Sequence, residues 1–205
     1  MIKELIKASL QNEARALAAV SEHVDDGYVE AIDALLSCKG KVVVTGIGKS
    51  GHVGKKIAAS LSSTGTPAFF VHSAEAVHGD SGMVEARDVV LLLSNSGETA
   101  EVLDILAILE TIGCRRIAIT KNKQSTLAKR SHVTLSYAYE READHLGLAP
   151  TTSALIQLAI GDALAVALSK LKNFTHDDFY LYHPGGSLGR QLSLRNAVRP
   201  EEEGA

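Results

Sequence analysis

The sequence predicts an α/β fold, a three-layer α/β/α sandwich around a five-stranded parallel sheet. Short β-branched or apolar runs alternate with helical stretches between residues 41 and 170. DVVLLL at 88–93 is apolar without alternation, the pattern of a strand buried on both faces. Glycine- and hydroxyl-rich segments follow two of the strands, where ligands bind in open parallel sheets. Strands separated by helices require βαβ crossovers, which place helices on both faces.

The elements read in order as follows. Residues 2–37 are helical, with Ile2, Leu5, Ile6, Leu10, Leu17 and Val20 near a 3.6-residue period and a break at Asp25, Asp26 and Gly27. Gly40 stands where helices commonly stop. Lys41–Thr45 is the first strand, and a helix runs from about Ser50 to Ser63. Ala68–Val71 and Asp88–Leu93 are the second and third strands, followed by a helix over Glu98–Thr111. Arg115–Thr120, a short helix near Ser125–Lys129, and His132–Ser136 come next. A long apolar helix covers about Thr151–Lys170. With no repeat or low-complexity linker, residues 1–195 form one domain and residues 196–205 a polar, acidic tail.

Composition narrows the function. Lys and Arg number 21 against 24 Asp and Glu, a formal net charge of −3, so there is no basic excess for a nucleic-acid partner. The group Lys121, Lys123, Lys129 and Arg130 reads as solvated surface. Cys38 and Cys114 form no CxxC pair, which excludes a disulfide framework and fits a reducing cytosol. The N-terminus lacks the apolar core of a signal peptide, and no run approaches the roughly 20 apolar residues of a membrane helix. A soluble cytoplasmic protein with no membrane partner is expected.

Two loops carry the chemistry. GIGKSG at 46–51 matches the GxGxxG fingerprint, but the second strand ends FVHS without the acidic residue that would hold a dinucleotide ribose. A phosphate-loop reading fails because Val43 stands where the first glycine is needed. SNSGET at 94–99 places hydroxyls and a glycine at a helix N-terminus, an arrangement that suits a phosphate monoester. A capping box at Ser96 and Thr99 is the plainer alternative.

These loops, with GTP at 65–67, EAVHGD at 75–80, LGLAPTTS at 146–153 and HPGGSLGR at 183–190, resemble the sugar-isomerase (SIS) domains. Within them, the chain is similar to the arabinose-5-phosphate isomerase family from about Leu17 to Leu194. That resemblance implies a flavodoxin-like SIS fold and interconversion of D-arabinose 5-phosphate and D-ribulose 5-phosphate for Kdo synthesis. It also implies a homo-oligomer, a tetramer with shared sites. Typical members continue into two CBS domains; this chain ends about eleven residues after Leu194, as a short form lacking them would.

Aldose–ketose isomerisation moves a proton between neighbouring carbons through an enediol. It needs a carbon base, a group for the oxygen protons, and help in opening the sugar ring. No cofactor is required, and no metal if charged side chains stabilise the enediolate. By resemblance Glu142, before the LGLAP turn, is the first choice of base and Glu101 the second; each also reads as a solvated charge. Glu98 fits a first-turn or capping role. His78 and His183, on glycine-bounded loops, are candidates for ring opening and proton shuttling. Lys49 is placed to hold the phosphate or the enediolate. Gly48, Ser50, Ser94, Asn95, Ser96 and Thr99 line the expected phosphate and sugar site. Thr151 and Thr152 add hydroxyls there or cap the long helix. His72, with His78 and Asp80, matches no familiar metal-ligand spacing. The alternatives are a SIS isomerase of another sugar phosphate and a non-catalytic sugar-phosphate sensor.

Overall fold

The structure, a computed structural model, describes residues 1–185. The expected tail at 196–205 and residues 186–190 of HPGGSLGR lie outside the described residues.

The chain opens with α1 (Ile2–Glu22) and α2 (Asp26–Leu36), divided where the Asp25 carboxylate accepts from the Gly27 N–H and caps α2. It continues through β1 (Val42–Gly46), α3 (Gly48–Ser63), β2 (Ala68–His72), α4 (Ser73–Ala76) and a 3-10 turn at Asp80–Met83. Then come β3 (Val89–Leu93), α5 (Ala100–Ile112), β4 (Arg115–Thr120), α6 (Thr126–Arg130), β5 (Val133–Ser136), α7 (Thr152–Leu171) and α8 (His176–Tyr182). The five strands are parallel in the order β2-β1-β3-β4-β5. The switch point, where successive strands are added on opposite sides, lies between β1 and β3.

Strand pleating divides the core into two layers. Val42, Val44, Leu91, Leu93, Ile117 and Ile119 face α1, α2, α3 and α7. Val43, Val90, Leu92 and Ala118 face α5, whose Val102, Ile105, Leu106 and Leu109 are buried there. Helix α7 crosses α3 at Gly161, where a Cβ would fall 2.3 Å from Ile57 Cγ1, so only glycine allows this approach.

Two expectations need correction. Helix α7 is, by length and composition alone, long and apolar enough to cross a membrane. Its apolarity has a packing reason: nine of its residues are buried against the other helices and the sheet. The sequence reading also passes over α4, the 3-10 turn and α8. A signal for α8 exists, because Thr175 and Asp178 form a reciprocal capping box.

Residues 172–182, after α7, pack at the amino edge of the sheet. Lys172 donates to Thr66 Oγ1 (2.8 Å) and the Gly65 carbonyl (3.4 Å), just ahead of β2. Phe174 packs on Gly65 and stacks with Tyr182 at 6.1 Å. Also at this edge, the buried Asp88 carboxylate accepts from Lys41 N–H and Glu85 N–H, both at 2.8 Å, tying the starts of β1 and β3 together.

Candidate active site

The two loops singled out in the sequence flank the switch point, and each delivers a helix N-terminus without a side-chain cap. Ile47 precedes α3 with no capping bond, and the Gly51 N–H to Ile47 carbonyl contact (3.1 Å) is the first turn of the ladder. The N–H groups of Gly48, Lys49 and Ser50 therefore lie outside that ladder. Gly48 has φ +59° and open space around its Cα, a conformation that favours glycine. Thr99 precedes α5, again with no side-chain cap, and its carbonyl accepts from both Val102 and Leu103 N–H at 3.0 Å. Two partial positive charges thus meet beside one another.

The SNSGET loop is braced from within. Ser94 Oγ accepts from Gly97 N–H (3.0 Å) and pairs with Thr99 Oγ1 (2.8 Å), while Ser96 Oγ accepts from Glu98 N–H (3.1 Å). The capping box considered at Ser96 and Thr99 does not form. Glu98 does cap a helix, but a different one: Oε1 accepts from Thr126 N–H (2.7 Å) at the start of α6. Hydrogen bonds from Thr126 hold its carboxyl below the usual carboxylate range.

Glu142 lies beyond β5 and is buried, at 6% exposure, so it is not a solvated loop charge. Oε2 accepts from Thr151 N–H (2.9 Å), Thr151 Oγ1 (3.3 Å) and Ser153 N–H (3.1 Å), placing the carboxylate at the N-terminus of α7. Oε1 accepts from the Tyr139 hydroxyl (2.9 Å), which in turn accepts from Asn95 Nδ2 (2.9 Å). Burial alone would raise the Glu142 carboxyl; hydrogen bonds from Ser153, Tyr139 and Thr151 outweigh it and hold the group below its ordinary value. The residue is an ionised carboxylate at neutral pH, linked through Tyr139 to the loop after β3.

The other expected residues sort by place. Glu101 is half-buried in the first turn of α5, one residue from its start. Lys49 is exposed in the first turn of α3, and Ser50 is half-buried beside it. His78 is exposed on the turn after α4. Thr151 Oγ1 accepts from Ala143 N–H (2.8 Å), and the buried Thr152 Oγ1 accepts from Asn12 Nδ2 (3.2 Å), so both hydroxyls brace the Glu142 loop. His183 does not join this group: it stacks on Phe179 at 4.0 Å and bonds the Phe179 carbonyl at 3.0 Å, at the end of α8. Helix α7, with 20 residues and hence about 30 Å of length, separates α8 from the Glu142 loop.

Sequence reasoning missed Tyr137, Tyr139, Gln157 and Lys121. The tyrosines were detectable: two residues apart on extended chain, they share a side, and their rings stack at 6.3 Å. Lys121 is exposed but does not stand free in solvent, since its ammonium sits 3.9 Å from the Tyr139 ring centroid.

An open parallel sheet with two uncapped helix ends at its switch point is the frame of a small-anion-binding α/β domain. The chain matches the SIS domain over residues 35–167 and belongs to that family. It is 52% identical, over 89% of its length and 56% of the relative's, to the arabinose 5-phosphate isomerase KdsD of Pseudomonas aeruginosa. It is 48% identical to the arabinose 5-phosphate isomerase KpsF of Escherichia coli O6:H1, over 94% of this chain and 59% of that one. The chain therefore spans a little over half the length of these curated relatives. Among solved structures, E. coli CFT073 c3406 in complex with arabinose 5-phosphate superposes with a TM-score of 0.87 at 49% identity, covering 89% of this chain and 97% of that one.

Proposed function

We propose that this chain is an aldose–ketose isomerase that interconverts D-arabinose 5-phosphate and D-ribulose 5-phosphate, feeding Kdo synthesis. The observation that carries the reading is the buried, ionised Glu142 carboxylate joined by Tyr139 to the Asn95 loop at the switch point. Similarity to a chain seen in complex with arabinose 5-phosphate supports this choice of sugar.

In this reading the phosphate sits against the N–H groups of Gly48 and Ser50 and the loop of Ser94, Asn95, Ser96 and Thr99. Lys49 supplies a cation for the phosphate or the enediolate. His78 or His183 assists ring opening and carries the proton between O1 and O2. Glu142 Oε1 accepts the C2 proton, leaving an enediolate, and returns it to C1 to give the ketose. Glu101 is the second choice for that proton. Charged side chains stabilise the intermediate, so the reading asks for no cofactor and no metal.

The proposed protein works as a homotetramer in the cytoplasm. The apolar stripe Ile2, Leu5, Ile6 and Leu10 on α1, 58–69% exposed, supports an interface between copies. Free thiols at Cys38 and Cys114 fit a reducing compartment. Because His183 lies far along the chain's own body, we assign it to a neighbouring protomer's site.

The test is turnover of arabinose 5-phosphate by chelator-treated protein, beside Glu142→Gln. Isomerisation by the wild type, falling by about 100-fold or more in the variant, supports both function and base. A wild type that binds the sugar phosphate without converting it would favour a sensor or another sugar phosphate. Activity surviving in Glu142→Gln moves the base to Glu101 or a histidine.

A further inference from the structure

Both tyrosine hydroxyls after β5 belong to one chain of hydrogen bonds. Gln157 Nε2 donates to Tyr137 Oη (2.9 Å), and Tyr137 donates to Asn95 Oδ1 (3.0 Å). Asn95 Nδ2 donates to Tyr139 Oη (2.9 Å), and Tyr139 donates to Glu142 Oε1 (2.9 Å). The charge at the end dictates every direction. An ionised carboxylate only accepts, so Tyr139 spends its single proton there and must accept from Asn95. That orients the amide, whose oxygen is then left for Tyr137.

The two oxygens of Glu142 differ in consequence. Oε2 takes three hydrogen bonds from the start of α7 and is committed to the fold. The Ser153 hydroxyl also hydrogen-bonds the carboxylate. Oε1, which accepts from Tyr139, is the less engaged oxygen and the one placed to take a substrate proton.

We infer that Tyr139 is a positioning residue for the isomerisation: it aims Glu142 Oε1 and holds that oxygen in the ionised, proton-accepting state. The inference rests on the reading of Glu142 as the carbon base. Lys121, seated over the Tyr139 ring, strengthens the hydroxyl as a donor. Among the described residues few other charges face this point. Tyr137 is pushed up by burial, Arg141 Nε donates to the Glu142 backbone carbonyl (3.4 Å), and Arg15 of α1 with Glu140 lines a cavity of about 120 Å³ against Tyr139. The first turn of α7 carries no acidic side chain.

The experiment is the pH dependence of kcat and kcat/KM on arabinose 5-phosphate for wild type, Tyr139→Phe, Glu142→Gln and the double variant, with thermal unfolding of each. Tyr139→Phe keeps the ring and removes the hydroxyl, which is the donor to Glu142 and the acceptor for Asn95. It is expected to lower kcat about tenfold to 100-fold with little change in KM, because a hydrogen bond to a charged group is lost. Its acid limb is expected to move to higher pH, because the anion loses a stabilising donor. In the Glu142→Gln background the same change should alter neither quantity. An unshifted limb at wild-type kcat, with Glu142→Gln inactive, overturns the positioning role alone. Wild-type turnover in Glu142→Gln overturns the base reading and this inference with it. If Tyr139→Phe does not fold, Lys121→Met takes its place: a smaller shift of the limb in the same direction supports the inference, and no shift overturns it.

Discussion

At the amino edge of the sheet polar groups meet in closed sets, whereas at the carboxyl edge several are left open. Asp88 satisfies two backbone amides with its two oxygens, and Lys172 closes on Thr66 and Gly65. Across the sheet, α3 and α5 begin without side-chain caps, and Glu142 keeps one oxygen lightly engaged. Cavity size does not follow this division. An opening of about 750 Å³ lies at the amino edge, lined by Lys41, Pro67, Phe69 and Tyr182 among others. What distinguishes the carboxyl edge is unspent donors and an ionised acceptor, the two things an anionic substrate and a proton transfer require.

The sharpest test of this contrast concerns His183, which sits with the closed edge while its proposed role belongs to the open one. Glu142→Gln and His183→Asn are each expected to be inactive as pure proteins. Mixed and reassembled, the two should regain up to about a quarter of wild-type turnover, since random pairing gives one intact site in four when each site draws on two chains. No recovery on mixing, or an active monomer by sedimentation, would return His183 to its own chain or remove it from catalysis.

The second test separates stability from catalysis. Asp88→Ala leaves the part-buried amides of Lys41 and Glu85 without their carboxylate acceptor, which costs roughly 1–3 kcal/mol. Denaturant unfolding should register that loss while kcat and KM of the folded variant stay near wild type. A fall in turnover as large as that of Glu142→Gln would erase the distinction between the edges.

The sequence carried the sheet well because buried strands leave an unmistakable record. VVLLL at 89–93 and the run at β1 are short, continuously apolar and rich in β-branched residues, the pattern of strands covered on both faces, and strand limits fall within two residues of expectation. The glycine loops were legible for a related reason: Gly48 and Gly97, at φ +59° and +70°, occupy backbone that other residues rarely adopt. Glu98 and Glu142 were harder. Glu98 stands just ahead of α5 and Glu142 in the loop after β5, and only tertiary contacts show that Glu98 caps α6 while Glu142 is buried against the start of α7. Tyr139 and Lys121 escaped because their roles are pairwise and cross from one loop to another; neither residue type by itself signals a partner.

The smallest expected effect lies in the pH dependence of stability, and it sharpens the description of Glu142. Its folded carboxyl is held below the ordinary value of 4.5. A carboxyl depressed on folding contributes stability that is present above the unfolded pKa and lost as pH falls through the folded one. Glu142→Gln should therefore unfold at a lower temperature than wild type at pH 7, because Gln offers Thr151 and Ser153 a neutral acceptor in place of an anion. The gap should narrow as pH drops below 4.5 and the wild-type carboxyl takes up its proton. Thermal unfolding of both proteins across that range measures it directly. A gap that stays constant with pH would mean that the anion is not what holds the start of α7, and the helix end would then be held by packing and the Asn12–Thr152 contact instead.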